Sequence, residues 1–131
     1  MSKKTPEGIV KADVDAILSG FGRHCWYESR TSVGYGKKGV PDRTGIYRGF
    51  GFGIECKAID LEAYAAGLIP DIRLTPSDIR KLQPTAAQER EMAKIRAAGG
   101  YTIVVGAPTH KDKVGAFFRR LDMIAQNPAL R

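Results

Sequence analysis

The chain has 131 residues, of which 43% are hydrophobic, so it suits one compact domain with a real core and leaves little room for a second. Its 21 Lys and Arg residues outnumber its 14 Asp and Glu residues, and the formal charge of +7 favours a polyanionic partner such as nucleic acid. No stretch approaches the roughly 20 apolar residues that cross a bilayer, and no apolar signal-peptide core follows Lys3 and Lys4, so we expect a cytoplasmic protein without a membrane partner. Cys25 and Cys56 are too few for a disulfide scaffold, and we expect both to be reduced.

The first half of the chain is predicted to form one helix and three strands. Thr5 and Pro6 are typical of an N-cap and a first helical position, and apolar residues then recur at helical spacing as far as Phe21. A polar loop with three glycines and two lysines is expected over 31–39. The strands are predicted over 25–28, 46–48 and 52–58, the last two as a hairpin that turns near Gly49.

The second half is predicted to contain an insertion, two clear helices and one buried strand. The insertion spans 59–84, with short helices over 61–66 and 75–83. Its eight large apolar residues must cover something: the domain itself, a branched substrate or, as we favour, a dimer interface. The remaining elements are a helix over 85–98, a strand over 101–105 and a helix over 111–127. This order predicts the α/β class, with a single domain and a mixed β-sheet flanked by helices.

The residues with the clearest chemical potential lie in the predicted hairpin. Pro41 fixes its own φ and holds the preceding residue extended, which brings Asp42 beside Glu55 of the neighbouring strand. Strand alternation puts Glu55 and Lys57 on one face, which we expect to point outward, and the apolar residues between them on the other. Two adjacent carboxylates tend to retain a proton unless a divalent cation neutralises them, which predicts a Mg²⁺ or Mn²⁺ site. The alternative is an ordinary solvated surface pair.

Two further polar residues each have a structural and a chemical interpretation. Thr85 and Gln88 have the spacing of a capping box, yet Gln88 also heads the buried face of its helix, and we favour a role in the site. Glu7 lies on the inward stripe of the first helix, although a glutamate there also complements the helix dipole. Asp13 is a weaker candidate for the same position.

Residues 34–39 match the pattern GxGxxG, but Pro41 follows almost at once, so no helix begins there to bind a pyrophosphate. We therefore expect no nucleotide cofactor and interpret this loop as a basic one in which Lys37 and Lys38 follow a phosphate backbone. Its predicted nucleic-acid-binding neighbours are Arg30, Tyr35 and Arg43. The alternative is a solvated loop without contacts.

Four sequence blocks, in this order, resemble the stand-alone, phage-type members of the VRR-NUC family within the PD-(D/E)xK nuclease superfamily. The blocks are Gly39-Val40-Pro41-Asp42, Gly53-Ile54-Glu55-Cys56-Lys57-Ala58, Pro84-Thr85-Ala86-Ala87-Gln88 and Ala98-Gly99-Gly100-Tyr101-Thr102-Ile103-Val104-Val105. The resemblance runs from the first helix to about Val105 and implies a restriction-endonuclease-like α-β-β-β-α-β core. Compact relatives have a short loop where this chain has the insertion.

The resemblance also implies a role for each site residue. The implied Mg²⁺ or Mn²⁺ ligands are Asp42, Glu55, the backbone carbonyl of Cys56 and Glu7, the only acid in the turn where the family places an additional ligand. Lys57 takes the position of the lysine that orients or deprotonates the attacking water and offsets charge in the transition state. Gln88 takes the position of a glutamine that sits beside the acidic cluster.

The resemblance implies a DNA endonuclease that hydrolyses phosphodiester bonds. Stand-alone members resemble homodimeric resolvases that cut opposed strands of a Holliday junction, which implies a branched DNA substrate, a role in recombination or repair, and a phage-infected or bacterial cell. Two alternatives stay open: a monomeric nicking, flap or duplex nuclease, and a non-catalytic basic nucleic-acid-binding module.

Overall fold

Four strands, five α-helices and two short 3₁₀ helices, Gly22–His24 and Pro128–Leu130, are found in the computed structural model, which describes residues 5–30 and 38–131. The elements, in chain order, are α1 (Pro6–Gly20), β1 (Cys25–Ser29), β2 (Arg43–Tyr47), β3 (Phe50–Ile59), α2 (Leu61–Ala65), α3 (Pro76–Leu82), α4 (Ala86–Ala97), β4 (Tyr101–Ala107) and α5 (His110–Gln126). The predicted fold class is confirmed: this is a single-domain α/β protein with a mixed sheet flanked by helices.

The four strands form one sheet in the order β1-β2-β3-β4. The first three run antiparallel to their neighbours, and β4 runs parallel to β3. Arg48 and Gly49 join β2 to β3, and both have positive φ values, 48° and 89°, as tight hairpin turns require. The hairpin therefore turns where the sequence predicted, and residues 60–100 provide the crossover that the parallel pair needs.

The two faces of the sheet are covered unequally. α1 and α5 pack on one face, where Val14, Ile54 and Phe118 belong to the buried core. α4 packs on the opposite face, mainly against β3 and β4. Because strand side chains alternate, Glu55 and Lys57 point from β3 towards α4, away from this core.

Several boundaries differ from the sequence prediction. β2 spans Arg43–Tyr47 rather than 46–48, and β3 spans Phe50–Ile59 rather than 52–58. β4 continues to Ala107, and most of it is half-buried because β4 forms an edge of the sheet. α4 begins at Ala86, since Thr85 is its N-cap. α5 begins at His110, whose buried ring lies 2.7 Å from an Asp13 carboxylate oxygen. His110, to which the sequence assigned no partner, thus connects α5 to α1.

The insertion forms the two predicted short helices and packs only in part on the domain. Asp60 caps α2 through a 3.0 Å hydrogen bond from the Glu62 N–H and lies 2.8 Å from the Lys113 ammonium of α5. Leu68 and Ile72, between the two helices, remain exposed. Among the residues that the structure describes, no helix is long and apolar enough to cross a membrane.

Candidate functional site

A cleft of about 460 Å³ lies where the start of β2, the middle of β3, the first turn of α4 and α1 meet. Its charged or amide-bearing lining residues are Lys11, Arg30, Lys38, Asp42, Glu55 and Gln88. Gly39 brings the chain across the start of α4 with a φ of 88°, and an added Cβ would lie 2.8 Å from the Gln88 nitrogen. Only glycine fits this approach, which places the Asp42 segment against the Gln88 turn.

Asp42 is held at the point where β2 and β3 separate. The antiparallel pairing ends at Arg43 and Ile54, so the backbone N–H of Cys56 lies beyond it and donates to Asp42 Oδ2 at 2.8 Å. The N–H and C=O of one strand residue point towards the same neighbouring strand. The Cys56 carbonyl, predicted as a metal ligand, therefore faces the same side of β3 as Asp42.

Glu55 is a buried carboxylate with one oxygen left without a donor. It is only 3% exposed, its Oε1 accepts a 3.0 Å hydrogen bond from Gln88 Nε2, and its Oε2 has no hydrogen-bond partner among the residues that the structure describes. Burial is the largest cause that raises the pKa of Glu55 to about 8, and the charge of the nearby Asp42 carboxylate contributes to the same shift. A proton or a cation between these two carboxylates relieves the cost of burying Glu55 in its charged form.

Gln88 links the lysine and the glutamate of β3. Its Oε1 accepts from Lys57 Nζ at 3.1 Å and from the Thr85 N–H at 2.8 Å, while its Nε2 donates to Glu55. One amide therefore completes the capping box and also contacts both Glu55 and Lys57. Its role in the chemistry of the site stays a prediction. The expectation that Glu55 and Lys57 point outward was wrong, since α4 covers this face and leaves Lys57 only 7% exposed. Lys57 also lines a second cavity, of about 250 Å³, beside Leu61.

Lys11 is the site residue that sequence reasoning missed. Its ammonium lies 3.2 Å from Glu7 Oε2 and 3.5 Å from Asp42 Oδ1, so Glu7 meets the cluster through this lysine. Burial alone would lower the pKa of Lys11, but the Asp42 and Glu7 carboxylates outweigh it and raise the pKa above its ordinary value. The i,i+4 spacing of Glu7 and Lys11 was the available signal.

Two of the predicted nucleic-acid contacts line the cleft, and two lie outside the residues that the structure describes. Arg30 and Lys38 are exposed and line the cleft, and Arg30 donates to the Val40 carbonyl at 3.2 Å. Lys37 and Tyr35 lie outside the described residues.

Arg43 requires a correction, because it is buried on the opposite face of the sheet. Its guanidinium binds both carboxylate oxygens of Asp15, at 2.5 and 2.9 Å, and this interaction raises its pKa. Strand register explains the difference: Arg43 pairs with Ile54, whose side chain points towards α1. Arg43 therefore joins β2 to α1, and we do not include it in the DNA surface proposed below. Asp13, bound to His110, also lies outside the acidic cluster.

The oxygen ligands available in the cleft fit a hard divalent cation. The part of the chain that the structure describes contains no group of three or more His, Cys, Asp or Glu side chains arranged to hold a metal. Mg²⁺, however, is commonly held by one or two carboxylates together with water and substrate oxygens. The unpartnered Oε2 of Glu55, next to Asp42, matches that requirement.

Comparison of the chain with protein-family models, with curated proteins and with solved structures found no match.

Proposed function

We propose that this chain is a Mg²⁺- or Mn²⁺-dependent endonuclease that hydrolyses phosphodiester bonds in DNA. The observation that carries the proposal is the buried Glu55 carboxylate, with one unpartnered oxygen, set beside Asp42 and joined through Gln88 to Lys57. Burying Glu55 and Lys57 beside a half-buried Asp42 is costly for stability alone, so the arrangement is better explained by chemistry. The four sequence blocks that resemble VRR-NUC nucleases support the same function.

The residues proposed to hold the cation are Asp42, Glu55 and the carbonyl of Cys56, with Glu7 contributing once Lys11 moves aside. A bound divalent cation lowers the pKa of a water and neutralises phosphate oxygens, which are the two difficulties in attacking an anionic ester. Lys57 would either orient the attacking water as an ammonium or accept its proton as a neutral amine, and in both cases its ammonium form would offset transition-state charge. Gln88 would fix the direction of the Lys57 ammonium through their 3.1 Å hydrogen bond.

The charge distribution supports DNA as the substrate. Arg30 and Lys38 line the cleft beside the acidic cluster, in a chain whose formal charge is +7. Cations at the rim attract the DNA backbone, and the acids at the floor attract the metal. The predicted contacts of Lys37 and Tyr35 belong to the same proposal.

We further propose a branched substrate, of the Holliday-junction type, and a homodimer. Both rest on the resemblance to stand-alone resolvases. Leu68, 65% exposed, and Ile72 give the insertion an apolar surface that a second copy would bury. Two-fold symmetry would place two sites on opposed strands of a junction.

The decisive experiment compares labelled junction, flap, duplex and single-stranded DNA in Mg²⁺, Mn²⁺ or EDTA. We expect metal-dependent cleavage, with symmetric cuts in the junction and none in EDTA. Asp42→Asn and Lys57→Ala should each lower the rate by at least about 100-fold and still bind DNA, whereas Lys81→Ala, at an exposed lysine of α3, should cut normally. Absence of cleavage on every substrate would leave only the non-catalytic binding module, and cleavage of flap or duplex alone would overturn the junction proposal.

A further inference from the structure

An open groove leads away from the cleft along the seam between α4 and β2. The cleft shares Val40 with an adjoining cavity, and that cavity shares Thr44, Ile95 and Ala98 with a third one of about 480 Å³. The shared residues join the three cavities into one path. Among the described residues, α4 packs mainly on β3 and β4 and leaves this face of β1 and β2 open. From Asp42 to Ile46 the path follows four residues of strand, about 13 Å.

The far end of the groove presents the only tryptophan of the chain. Trp26 of β1 and Ile46 of β2 are cross-strand partners, and they are 60% and 52% exposed. Both side chains point to the face that α4 leaves open. A large aromatic ring displayed in this way is a stacking surface for planar groups.

The floor of the groove contains a glycine that the fold itself does not require. Gly51 lies in β3 opposite Ile46, its φ is in the ordinary range, and an added Cβ would meet no atom within 4 Å. Glycine weakens a strand, and inside one it often marks the close approach of a ligand. The free space above Gly51, next to Trp26, is therefore available to a bound molecule.

We propose that this groove binds an unpaired DNA strand that leaves the cleft, with a base stacked on Trp26. The proposal rests on the proposed function and narrows its substrate to DNA with a single-stranded segment beside the cut. The apolar and glycine floor suits the faces of bases, whereas Arg30 and Lys38 at the cleft end suit phosphates. Glu28 and Glu91 border this face, and their carboxylates repel phosphates. The proposed strand therefore turns its bases to the floor of the groove and its phosphates to solvent.

The single tryptophan makes the binding directly observable. With EDTA present to prevent cleavage, an oligothymidylate of about eight nucleotides should quench the fluorescence of Trp26, and a blunt duplex of equal length should quench it much less. Trp26→Ala should weaken binding of the labelled oligonucleotide, followed by anisotropy, by roughly 5- to 150-fold.

Gly51→Val provides a variant that fills the groove without disturbing the fold. Valine suits a strand and its Cβ would meet no protein atom within 4 Å, so the thermal midpoint should hold or rise while oligonucleotide quenching is lost. Gly20→Ala, at the end of α1, is the matched control, since its added methyl group also meets nothing and lies outside the groove; it should leave quenching unchanged.

Three outcomes would overturn the inference: oligonucleotide binding without quenching, unchanged affinity in Trp26→Ala, or normal quenching in Gly51→Val. A mass that doubles with concentration and returns to that of a monomer in Trp26→Ala would assign the surface to a second copy of the chain and also overturn it. Because quenching is measured without metal, a protein that quenches but never cuts refutes the nuclease proposal alone. A protein that cuts but does not quench refutes the groove alone.

Discussion

At the scale of single residues, Gln88 both caps α4 and contacts Glu55 and Lys57, and mutation can separate these two roles. Gln88→Ala and Thr85→Ala both remove the capping box and should each lower the free energy of unfolding by about 1 kcal/mol. Only Gln88→Ala also removes the hydrogen-bond partner that Glu55 and Lys57 share. It alone should slow cleavage by roughly 10- to 100-fold, the usual loss of activity when a residue that orients a metal ligand is removed. Urea unfolding and single-turnover cleavage measure the two effects, and equal rates for both variants would contradict a role in the site.

Glu55 should make the metal-free protein less stable as the pH rises. Its pKa is raised from 4.5 to about 8 in the folded chain, so the folded state holds a proton that the unfolded state releases between these values. Stability from the protonated carboxyl is thus complete below about 4.5 and is lost as the pH climbs through about 8. At pH 9 in EDTA, Glu55→Gln should raise the thermal midpoint, because it adds roughly 1–3 kcal/mol to the free energy of unfolding. At pH 4 it should have little effect on either quantity.

The control for this pH dependence is Glu89→Gln, at an exposed position of α4. It should leave the pH profile of the thermal midpoint parallel to that of the original chain. If the thermal midpoint of Glu55→Gln falls with pH as steeply as that of the original chain, another group is responsible for the pH dependence.

Lys11 competes with the divalent cation for the same carboxylates. Its ammonium already lies 3.5 Å from Asp42 and 3.2 Å from Glu7, so it must move before Glu7 can contribute to a metal site. Lys11→Met should therefore tighten Mn²⁺ binding by roughly two- to fivefold, the scale of a partly exposed ion pair. Calorimetry measures the Mn²⁺ affinity without DNA, and Lys111→Met, at an exposed lysine, is the control. Weaker Mn²⁺ binding in Lys11→Met would contradict the competition.

At the scale of elements, the pair of Arg43 and Asp15 fastens the hairpin to α1. Arg43→Met removes one partner of a bidentate ion pair and should cost roughly 2–4 kcal/mol, because Asp15 is 34% exposed and the full penalty for a buried charge is not reached. Urea unfolding checks this cost. DNA affinity of the folded variant should be unchanged, whereas Lys38→Ala should weaken DNA binding and reduce its salt dependence by about one phosphate contact.

The elements themselves were largely predictable because their signals are local. Thr5, Pro6 and Thr85 marked the starts of α1 and α4, and strand alternation correctly put Glu55 and Lys57 on one face. Sequence could not show that α4 covers this face and buries both side chains. The same limit explains Arg43 and Lys11, since their environments depend on which helix packs over which side of the sheet.

At the scale of the whole molecule, the proposed homodimer determines how two sites would meet one substrate. We expect light scattering to give a mass twice that of the 14.3 kDa chain, and replacement of both Leu68 and Ile72 by Ser to return it to that of a monomer. Ile9→Ser, at an exposed apolar residue of α1, is the control. A monomer at micromolar concentration, with and without junction DNA, would contradict the resolvase form of the proposal.

The contact of Gly39 with the first turn of α4 has a consequence for when activity begins. Asp42 and Gln88 reach one cleft only after α4 has docked against the hairpin, and α4 reaches that position through the crossover that ends in β4. A ribosome-bound chain that has emerged only through β3 already contains Asp42, Glu55 and Lys57 but has no closed site around them. We therefore expect fragments that end at β3 to lack the proposed cutting activity, which needs α4 docked against the hairpin.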